Sequence, residues 1–450
     1  MNWEALIESV NDVLWGPFLI ALLVGVGLLF TFRLGFIQIR MIGHAFKHTF
    51  GGLFSKKDKD EGGGISSFQA LSTAIAAQVG TGNLAGVATA ITLGGPGAIF
   101  WMWVSAVFGM GTIFGEAVLA QVYRDESGGE VKGGPAYYLR KGVGSKFLAG
   151  FFAVALIIAL GFVGNMVQSN SIAVAFQTFN VPGIVVGIFV AIVIGFVIFG
   201  GIQRIASIAG TVVPFMALFY IIGSLIIVVT NFDTVLWAFE LIFTSAFSPV
   251  AAGGGVLGAT VKEAIRFGVA RGLFSNEAGM GSTPHAHAVA KVKHPAEQGL
   301  VAIVGVIIDT FIVCTCTALV IIVTKAHESG LTGIELTQEG FIRGLGGTYG
   351  ASFIAIALFF FALTTILGWY YFAETNVKYL FKNRGVKTFR ILVLFCIVLG
   401  TTLEVPVVWA LADTFNALMI FPNLIGLFIL SPVVVKYYRE YRDGLKKLEY

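Results

Sequence analysis

Charged side chains are scarce in this sequence. Asp, Glu, Lys and Arg make up 12% of the 450 residues, whereas 56% of the residues are hydrophobic and the mean hydropathy is +0.86. A water-soluble domain carries roughly a quarter of its residues as charged groups. With so few charges, the chain cannot cover itself with a polar surface. The composition therefore excludes an ordinary soluble protein and predicts a fold that has lipid as its solvent.

Motifs for catalysis and for cofactor binding are also missing. The sequence has no GxxxxGK[ST] phosphate loop, no HExxH zinc motif and no GxSxG nucleophile motif. Its three cysteines, Cys314, Cys316 and Cys396, lie in apolar runs, where small buried side chains are expected rather than a metal site. We therefore expect no enzyme activity, no cofactor and no ATP-driven transport by this chain alone.

Long apolar segments are abundant. A membrane-spanning helix needs about 20 mostly apolar residues, and eleven segments meet that requirement. They lie near 15–35, 66–91, 97–121, 148–177, 182–200, 208–230, 261–288, 298–324, 348–377, 391–408 and 412–435. We predict an all-α polytopic membrane protein with a single transport domain over 1–450. A further helix is expected along the outer surface near 234–247.

The Lys and Arg residues are distributed unevenly between the two sides of this predicted bundle. If the amino terminus lies outside, the inner loops and the tail hold 24 of the 29 basic residues and the outer segments hold 4. Basic residues concentrate in cytoplasmic loops of membrane proteins. The asymmetry predicts a multi-pass protein of the cell membrane with its amino terminus outside and its carboxy terminus in the cytoplasm.

Two of the eleven segments are predicted to be interrupted. The second contains AAQVGTGNLAG at 76–86, and the seventh contains RGLFSNEAGMGSTP at 271–284. Glycine is about 1 kcal/mol worse than alanine inside a helix, and polar groups within a membrane are costly. Irregular backbone at membrane depth is tolerated where it is buried in protein or lines a cavity. Both segments are therefore expected to be unwound and to line a binding site.

The positions of the two interruptions suggest an inverted repeat. The second segment opens a group of five (66–230), and the seventh opens another group of five (261–435), after an extra first helix at 15–35 and before a cytoplasmic tail at 436–450. Interrupted helices at matching positions in two halves point to the binding site of a secondary transporter. Helix amino termini there would favour a carboxylate, and free carbonyl groups would favour an amine or a cation.

Several polar residues in other spans are candidates for ligand contacts. Thr364 and Thr365 in the ninth segment offer two hydroxyl oxygens, the ligand type that a hard cation such as sodium takes. Asn165 and Asn170 in the fourth segment lie about 140° apart around a helix, so only one of them is expected to face a pocket. Asp309, deep in the eighth segment, is either a protonation site or a hydrogen-bonded structural acid.

One stretch resembles a known family. The sequence GGPGAIFWMWVSAVFG at 94–109 is similar to the signature of the alanine or glycine:cation symporter family, and GTGNLAG at 80–86 and LFSNEAGMGS at 273–282 resemble its two broken helices. The resemblance runs from the first span to the last. It implies a LeuT-type fold of the amino acid-polyamine-cation superfamily, with a five-plus-five inverted repeat after one extra helix. It also implies uptake of alanine or glycine driven by sodium, or in some members by protons.

The resemblance also implies a set of site residues. The substrate carboxylate is expected at the backbone near Thr81 and Gly82, and the ammonium group at the carbonyls of 273–276. The implied substrate-binding residues are Gln78, Gly80, Thr81, Gly82, Asn83, Asn170, Leu273, Phe274, Ser275, Asn276, Met280 and Trp369. The implied sodium ligands are the carbonyls of Ala76 and Val79 and the hydroxyls of Thr364 and Thr365.

The function expected from the sequence is thus sodium-coupled symport of alanine, glycine or both by alternating access. The alternative within transport is proton coupling through Asp309 or Glu116. A channel and a non-transporting sensor are the competing classes, but neither a selectivity loop nor a signalling domain is recognisable. The expected partners are the amino acid, sodium or a proton, and the lipid bilayer, with no nucleic acid and no obligatory protein partner.

Overall fold

The computed structural model describes residues 3–51, 65–248 and 260–448. Throughout these ranges the regular structure is helical. The only pairings of extended backbone among the described residues are two isolated bridges, one between Ile65 and Ala290 and one between Asp125 and Lys132. The predicted all-α class is confirmed.

Within residues 3–51 the structure has four helices: α1 (Trp3–Leu14), α2 (Pro17–Arg33), α3 (Ile37–Arg40) and α4 (Ile42–Gly51). The predicted extra helix is α2. It starts with a proline at its first position, which suits a helix start because proline lacks the N–H that would be unpaired there. It packs mainly against α7 and α21.

The next group forms the region predicted as the first repeat. Its helices are α5 (Ser67–Gln78), α6 (Val87–Gly94), α7 (Ala98–Val122), α8 (Pro135–Lys141), α9 (Lys146–Leu156), α10 (Asn165–Gln177), α11 (Gly183–Ile198) and α12 (Gly201–Thr230). π-helical turns at Gly82–Gly86 and Ile157–Gly164 lead into α6 and join α9 to α10. Single π-turns inside helices are frequent at functional sites.

The remaining helices include the region predicted as the second repeat. They are α13 (Phe232–Ser245), α14 (Val261–Asn276), α15 (Pro284–Ala288), α16 (Pro295–Val306), α17 (Thr315–Val323), α18 (Gly333–Leu345), α19 (Gly347–Phe381), α20 (Val386–Gly400) and α21 (Val405–Leu448). A π-helical segment, Ile307–Cys314, joins α16 to α17. The helix expected near 234–247 is α13. The grouping of these helices into two repeats stays a prediction.

Among the described residues, length and hydropathy identify six helical stretches that could cross a membrane. A seventh is added if the pair Ser67–Gln78 and Gly82–Gly94, bent by 51°, is counted as one span. One of the six, Gly347–Gly400, contains the ninth predicted segment and residues 391–400 of the tenth. Two shorter apolar helices, α2 and α11, match the first and fifth. The seventh predicted segment is not among them, because it is divided into α14 and the short α15.

The two interrupted segments lie at the centre of the bundle. The helix α5 packs against α12, α16 and α19, and α14 packs against α6 and α7. The π-turn Gly82–Gly86 contacts α14. The π-segment Ile307–Cys314 contacts both this π-turn and α14. The site is therefore enclosed by helices from both halves of the chain.

Candidate functional site

The first break separates α5 from α6. The helix α5 begins with a capping box at Ser66 and Gln69 and ends at Gln78, after which Val79 is extended (φ −81°, ψ 93°). The Asn83 side chain accepts a hydrogen bond from the Gly80 amide at 2.8 Å, so it replaces a helical acceptor that the break removes. Polar side chains thus satisfy backbone groups that lipid cannot.

The second break follows α14. Glu277 has a left-handed backbone (φ 58°), and Gly279 and Gly281 follow with φ of 94° and 81°. The buried carboxylate of Glu116, on α7, accepts hydrogen bonds from the amides of Gly279 (3.1 Å) and Gly281 (2.9 Å) and from the side chain of Asn423 (2.7 Å). A carboxylate from a neighbouring helix therefore holds this unwound backbone.

The two breaks touch each other. A Cβ atom on Gly82 would lie 3.0 Å from the Cα of Ser275, so the close approach requires a residue without a side chain. The amide of Gln78 donates to the Asn276 carbonyl at 2.6 Å. These contacts join the two segments that the sequence predicted to share a site.

A buried acid lies beside this junction. The carboxylate of Asp309 accepts hydrogen bonds from the Asn83 amide (2.5 Å), the Ser275 hydroxyl (2.9 and 3.0 Å) and the Thr310 hydroxyl (2.8 Å). The Asn276 amide in turn donates to the Thr310 hydroxyl at 3.1 Å. Asp309 therefore connects both breaks to the eighth span, a role that the sequence left open between a titrating and a structural acid.

Two polar atoms at the first break have no partner. The side-chain oxygens Oε1 of Gln78 and Oγ1 of Thr81 are buried and accept or donate no hydrogen bond among the described residues. Buried polar groups are nearly always paired. Their position at the break makes them candidates for contact with a ligand.

Oxygen atoms also converge between the second and ninth spans. The Thr365 hydroxyl lies 3.0 Å from the Ala76 carbonyl oxygen and 3.3 Å from that of Val79. A Cβ atom on Gly80 would lie 2.3 Å from the same hydroxyl. These three oxygens are ligands of the kind that a hard cation prefers. The Thr364 hydroxyl instead faces Met216 and its own helix.

Aromatic side chains cover one side of the breaks. The Phe274 ring packs edge-on against Trp369, with centroids 5.9 Å apart, and against Trp409 at 5.2 Å. Trp369 is held in place by its indole N–H, which donates to the Glu277 carboxylate at 2.5 Å. Met280 is fully buried. Glu277, a residue of the second break, therefore fixes the position of Trp369 in this aromatic surface.

One end of the site is closed by an ion pair. Arg271, one turn before Ser275, forms two hydrogen bonds with the Asp413 carboxylate at 2.8 and 2.9 Å. Its guanidinium group also lies 5.2 Å from the Trp409 ring centre. The paired guanidinium and carboxylate join α14 to α21.

Backbone contacts close the opposite end. The Ile65 amide donates to the Val289 carbonyl at 3.2 Å, and the Lys291 amide donates to the Ile65 carbonyl at 3.0 Å. The Gln121 side chain donates to the Ala290 carbonyl at 3.0 Å. The chain before α5 is thus attached to the chain after α15.

The predicted site residues are gathered only in part. Gln78, Gly80, Thr81, Gly82, Asn83, Phe274, Ser275, Asn276, Trp369, Ala76, Val79 and Thr365 meet around the two breaks. Asn170 lies apart, since its amide donates to the carbonyls of Gly400 and Leu403 at 2.9 Å each. Leu273 faces a small cavity against α2 and α7. The substrate-binding roles of Asn170, Leu273 and Met280 stay predictions.

Some residues of the site were not identified from the sequence. Glu116 was predicted only as an alternative proton-coupling residue, and its hydrogen bonds to the amides of Gly279 and Gly281 were not predicted. Asp413 is likewise an acid within a predicted span. Its pairing with Arg271 and the role of Trp409 follow from contacts between distant spans. Arg271 lies within the seventh predicted segment, but its pairing with Asp413 could not be predicted from that position.

Comparison with known proteins agrees with this architecture. A sequence model of the sodium:alanine symporter family matches residues 1–449. The sodium/alanine symporter AgcS of Methanococcus maripaludis is 45% identical over 447 residues, which cover 97% of this chain and 96% of that protein. The chain belongs to the sodium:alanine symporter family. It is a transporter and not an enzyme, as the missing motifs predicted.

Two further proteins are similar to this family member. The putative sodium/proton-dependent alanine carrier protein YrbD of Bacillus subtilis is 42% identical, over 98% of this chain and 93% of that protein. The crystal structure of MhsT in complex with L-phenylalanine aligns with a TM-score of 0.59 at 12% identity, covering 84% of this chain and 99% of MhsT. At that identity the likeness concerns the fold alone, and it supports the predicted LeuT-type architecture.

Proposed function

We propose that this transporter couples the uptake of alanine, glycine or both to sodium by alternating access. The observation that carries the proposal is the convergence of three oxygens between the second and ninth spans, directly beside two touching unwound segments. Membership of the sodium:alanine symporter family and the name of the AgcS relative support the same coupling.

Sodium binds in this proposal between α5 and α19. The carbonyls of Ala76 and Val79 and the Thr365 hydroxyl supply oxygen ligands, and bound sodium takes the place of the hydrogen bonds that now join them. Thr364 was predicted as a fourth ligand, and its present contact with Met216 makes it the weaker candidate. Sodium then stabilises the contact between the two spans, which couples ion binding to conformation.

The amino acid binds at the junction of the breaks. The unpaired Thr81 hydroxyl, with the backbone at Gly82, is proposed to meet the carboxylate, and the unpaired Gln78 oxygen, with carbonyls of α14's last turn, to meet the ammonium group. Phe274 and Trp369 restrict the space for the side chain. A larger amino acid is rejected by steric clash.

The proposed topology assigns each closure of the site to one side of the membrane. With the amino terminus outside, the Arg271–Asp413 pair closes the outer end, and the contacts of Ile65 with Val289 and Lys291 close the cytoplasmic end. Opening of one closure at a time carries the ligands across the membrane, and an inward sodium gradient makes the net movement inward. The five-helix units 66–230 and 261–435 are proposed to move relative to each other.

Uptake into liposomes tests the proposal. Labelled alanine and glycine are offered to reconstituted protein with and without an inward sodium gradient at matched pH. Concentrative uptake that depends on the gradient supports sodium symport. Uptake that needs no sodium would contradict it.

Two adjacent threonines provide a matched pair of variants. In Thr365→Val the sodium concentration for half-maximal uptake is expected to rise about tenfold or more, since a hydrogen-bonding oxygen is worth about 1–3 kcal/mol. In Thr364→Val the sodium concentration for half-maximal uptake is expected to stay close to that of the parent protein. Equal effects of both variants would remove Thr365 from the proposed sodium site.

Proton coupling is the second candidate, because the buried Asp309 contacts both breaks and the YrbD relative is named sodium/proton-dependent. Under this alternative, an inward proton gradient drives alanine uptake without sodium, and Asp309→Asn abolishes it. Under sodium coupling, the proton gradient alone drives no accumulation, and Asp309→Asn retains sodium-dependent uptake.

A further inference from the structure

A cleft with a basic lining lies away from the two breaks. It has a volume of about 370 Å³ and is enclosed by α8, the chain that precedes it and the end of α19. Five cationic side chains line it: Lys132, Arg140, Lys141, Lys378 and Lys382. None of these residues takes part in the proposed transport site.

Three carboxylates neutralise part of this charge. Lys141 lies 3.4 Å from Asp125, and Lys132 lies 3.3 Å from Glu130. Lys378 pairs with Glu130 at 2.7 Å and with Glu374 at 3.0 Å. Glu374 also pairs with Arg390 at 3.2 Å, so the three carboxylates do not neutralise all five lining cations, and two of these cations have no carboxylate partner.

The excess charge belongs to two identifiable side chains. Arg140 and Lys382 form no ion pair and no side-chain hydrogen bond with any described residue, and both are exposed at the cleft. A cleft with unpaired cations at its rim attracts an anion. The three other lysines that line the cleft are paired with carboxylates.

Neutral groups complete the lining. The rings of Tyr137 and Tyr379 pack edge to face, with centroids 5.3 Å apart, and line one side of the cleft. Ser127 and Asn383 also line the cleft and can donate hydrogen bonds. An Arg fork, several ammonium groups and neutral donors around one space are the chemistry that recognises phosphate oxygens.

The backbone at Lys382 is unusual for its residue type. It follows directly after α19 with φ 58° and ψ −144°, a conformation that is normally left to glycine. Lysine therefore occupies a strained position at the rim of the cleft. Strained positions that persist are concentrated at functional sites.

We propose that this cleft binds a phosphate-bearing anion. Its residues lie in the segments 122–147 and 378–390, which hold ten of the basic residues assigned to the inner side. Basic pockets between helices on that side bind anionic lipid headgroups. The same chemistry fits a soluble polyphosphate, so the source of the phosphate is decided by experiment.

Binding is measured on the purified full-length protein in a neutral detergent. One titration uses pyrophosphate, a second uses short-chain phosphatidylglycerol, and a third uses short-chain phosphatidylcholine. The readouts are the shift in the temperature of unfolding and direct detection of the bound species by native mass spectrometry. A ligand that binds only the folded state raises the unfolding temperature.

The variant Arg140→Gln with Lys382→Gln removes both unpaired cations. We expect its affinity for the anion to fall on the order of tenfold or more, because each basic side chain near a phosphate contributes substantially. The control is Arg204→Gln with Lys146→Gln, which removes the same charge from exposed residues outside the cleft that have no ion-pair partner among the described residues. The control is expected to bind like the parent.

The outcomes separate the sources of phosphate. Binding of phosphatidylglycerol but not of pyrophosphate assigns a lipid site, and binding of pyrophosphate assigns a soluble ligand. The proposal is overturned if neither binds more tightly than phosphatidylcholine, or if both double variants lose binding equally. Unfolding temperatures without ligand show that the variants are folded, and no outcome depends on amino-acid uptake.

Discussion

The two breaks at the centre of the molecule are built differently. In the break after α14, backbone and side-chain groups are hydrogen-bonded to other parts of the protein. Glu116 accepts hydrogen bonds from the amides of Gly279 and Gly281, and Glu277 accepts one from the Trp369 indole. The break after α5 leaves the Gln78 oxygen and the Thr81 hydroxyl unpaired. The backbone of the second break is therefore held by protein side chains, and one unpaired group, the Thr283 hydroxyl, remains there. The first break has two unpaired groups available for a ligand.

This difference suggests a division of labour between the two halves of the chain. Two glycines of the first break make its closest contacts. Gly80 lies against Thr365, a proposed cation ligand, and Gly82 lies against Ser275 of the second interrupted segment. The second break fixes the aromatic wall. If this comparison is correct, variants of the first break alter ligand binding, and variants of the second alter stability and geometry.

The largest effect is expected from Gly80→Ala. The added Cβ would lie 2.3 Å from the Thr365 hydroxyl, so α5 and α19 must move apart and the proposed sodium ligands separate. Sodium-driven alanine uptake should fall to background. The control is Gly86→Ala, whose Cβ finds its nearest atom at 3.9 Å. Normal uptake by Gly80→Ala would break the assignment of the first break to ion binding.

An intermediate effect is expected from Glu116→Gln. The amide keeps a single acceptor oxygen for three donors, and each lost hydrogen bond in a buried site costs about 1–3 kcal/mol. The free energy of unfolding should decrease, and uptake should decrease with it at raised temperature. Glu240→Gln, at an exposed position of α13, is the matched control. A stable variant with altered sodium affinity would instead place Glu116 in the ligand site.

The smallest and sharpest test compares two unpaired hydroxyls, one at each break. Thr81 and Thr283 are both fully buried, and neither hydroxyl has a partner among the described residues. Thr81→Val should raise the half-saturating alanine concentration roughly three- to tenfold without lowering stability, because no protein hydrogen bond is lost. Thr283→Val should leave alanine affinity unchanged. Equal effects on uptake would end the distinction between the breaks.

Much of the fold was accessible from the sequence. Apolar composition and segment length predicted a helical membrane protein, because the bilayer admits few other solutions. Glycines and polar residues within 76–86 and 271–284 predicted both breaks, and the structure has irregular backbone in each. The family followed from the motif at 94–109 and is confirmed by the match over residues 1–449. Terminal orientation and coupling ion stay predictions.

Tertiary packing decided which polar atoms meet. Adjacent residues on a helix point about 100° apart, so sequence proximity could not tell that Thr365 faces the Ala76 carbonyl while Thr364 faces Met216. In the same way, packing directs Asn170 to the end of α20. The sequence by itself determined where helices form and break, since those are local properties of residues. The rotation of each helix about its axis, and hence the site, depended on contacts between distant spans.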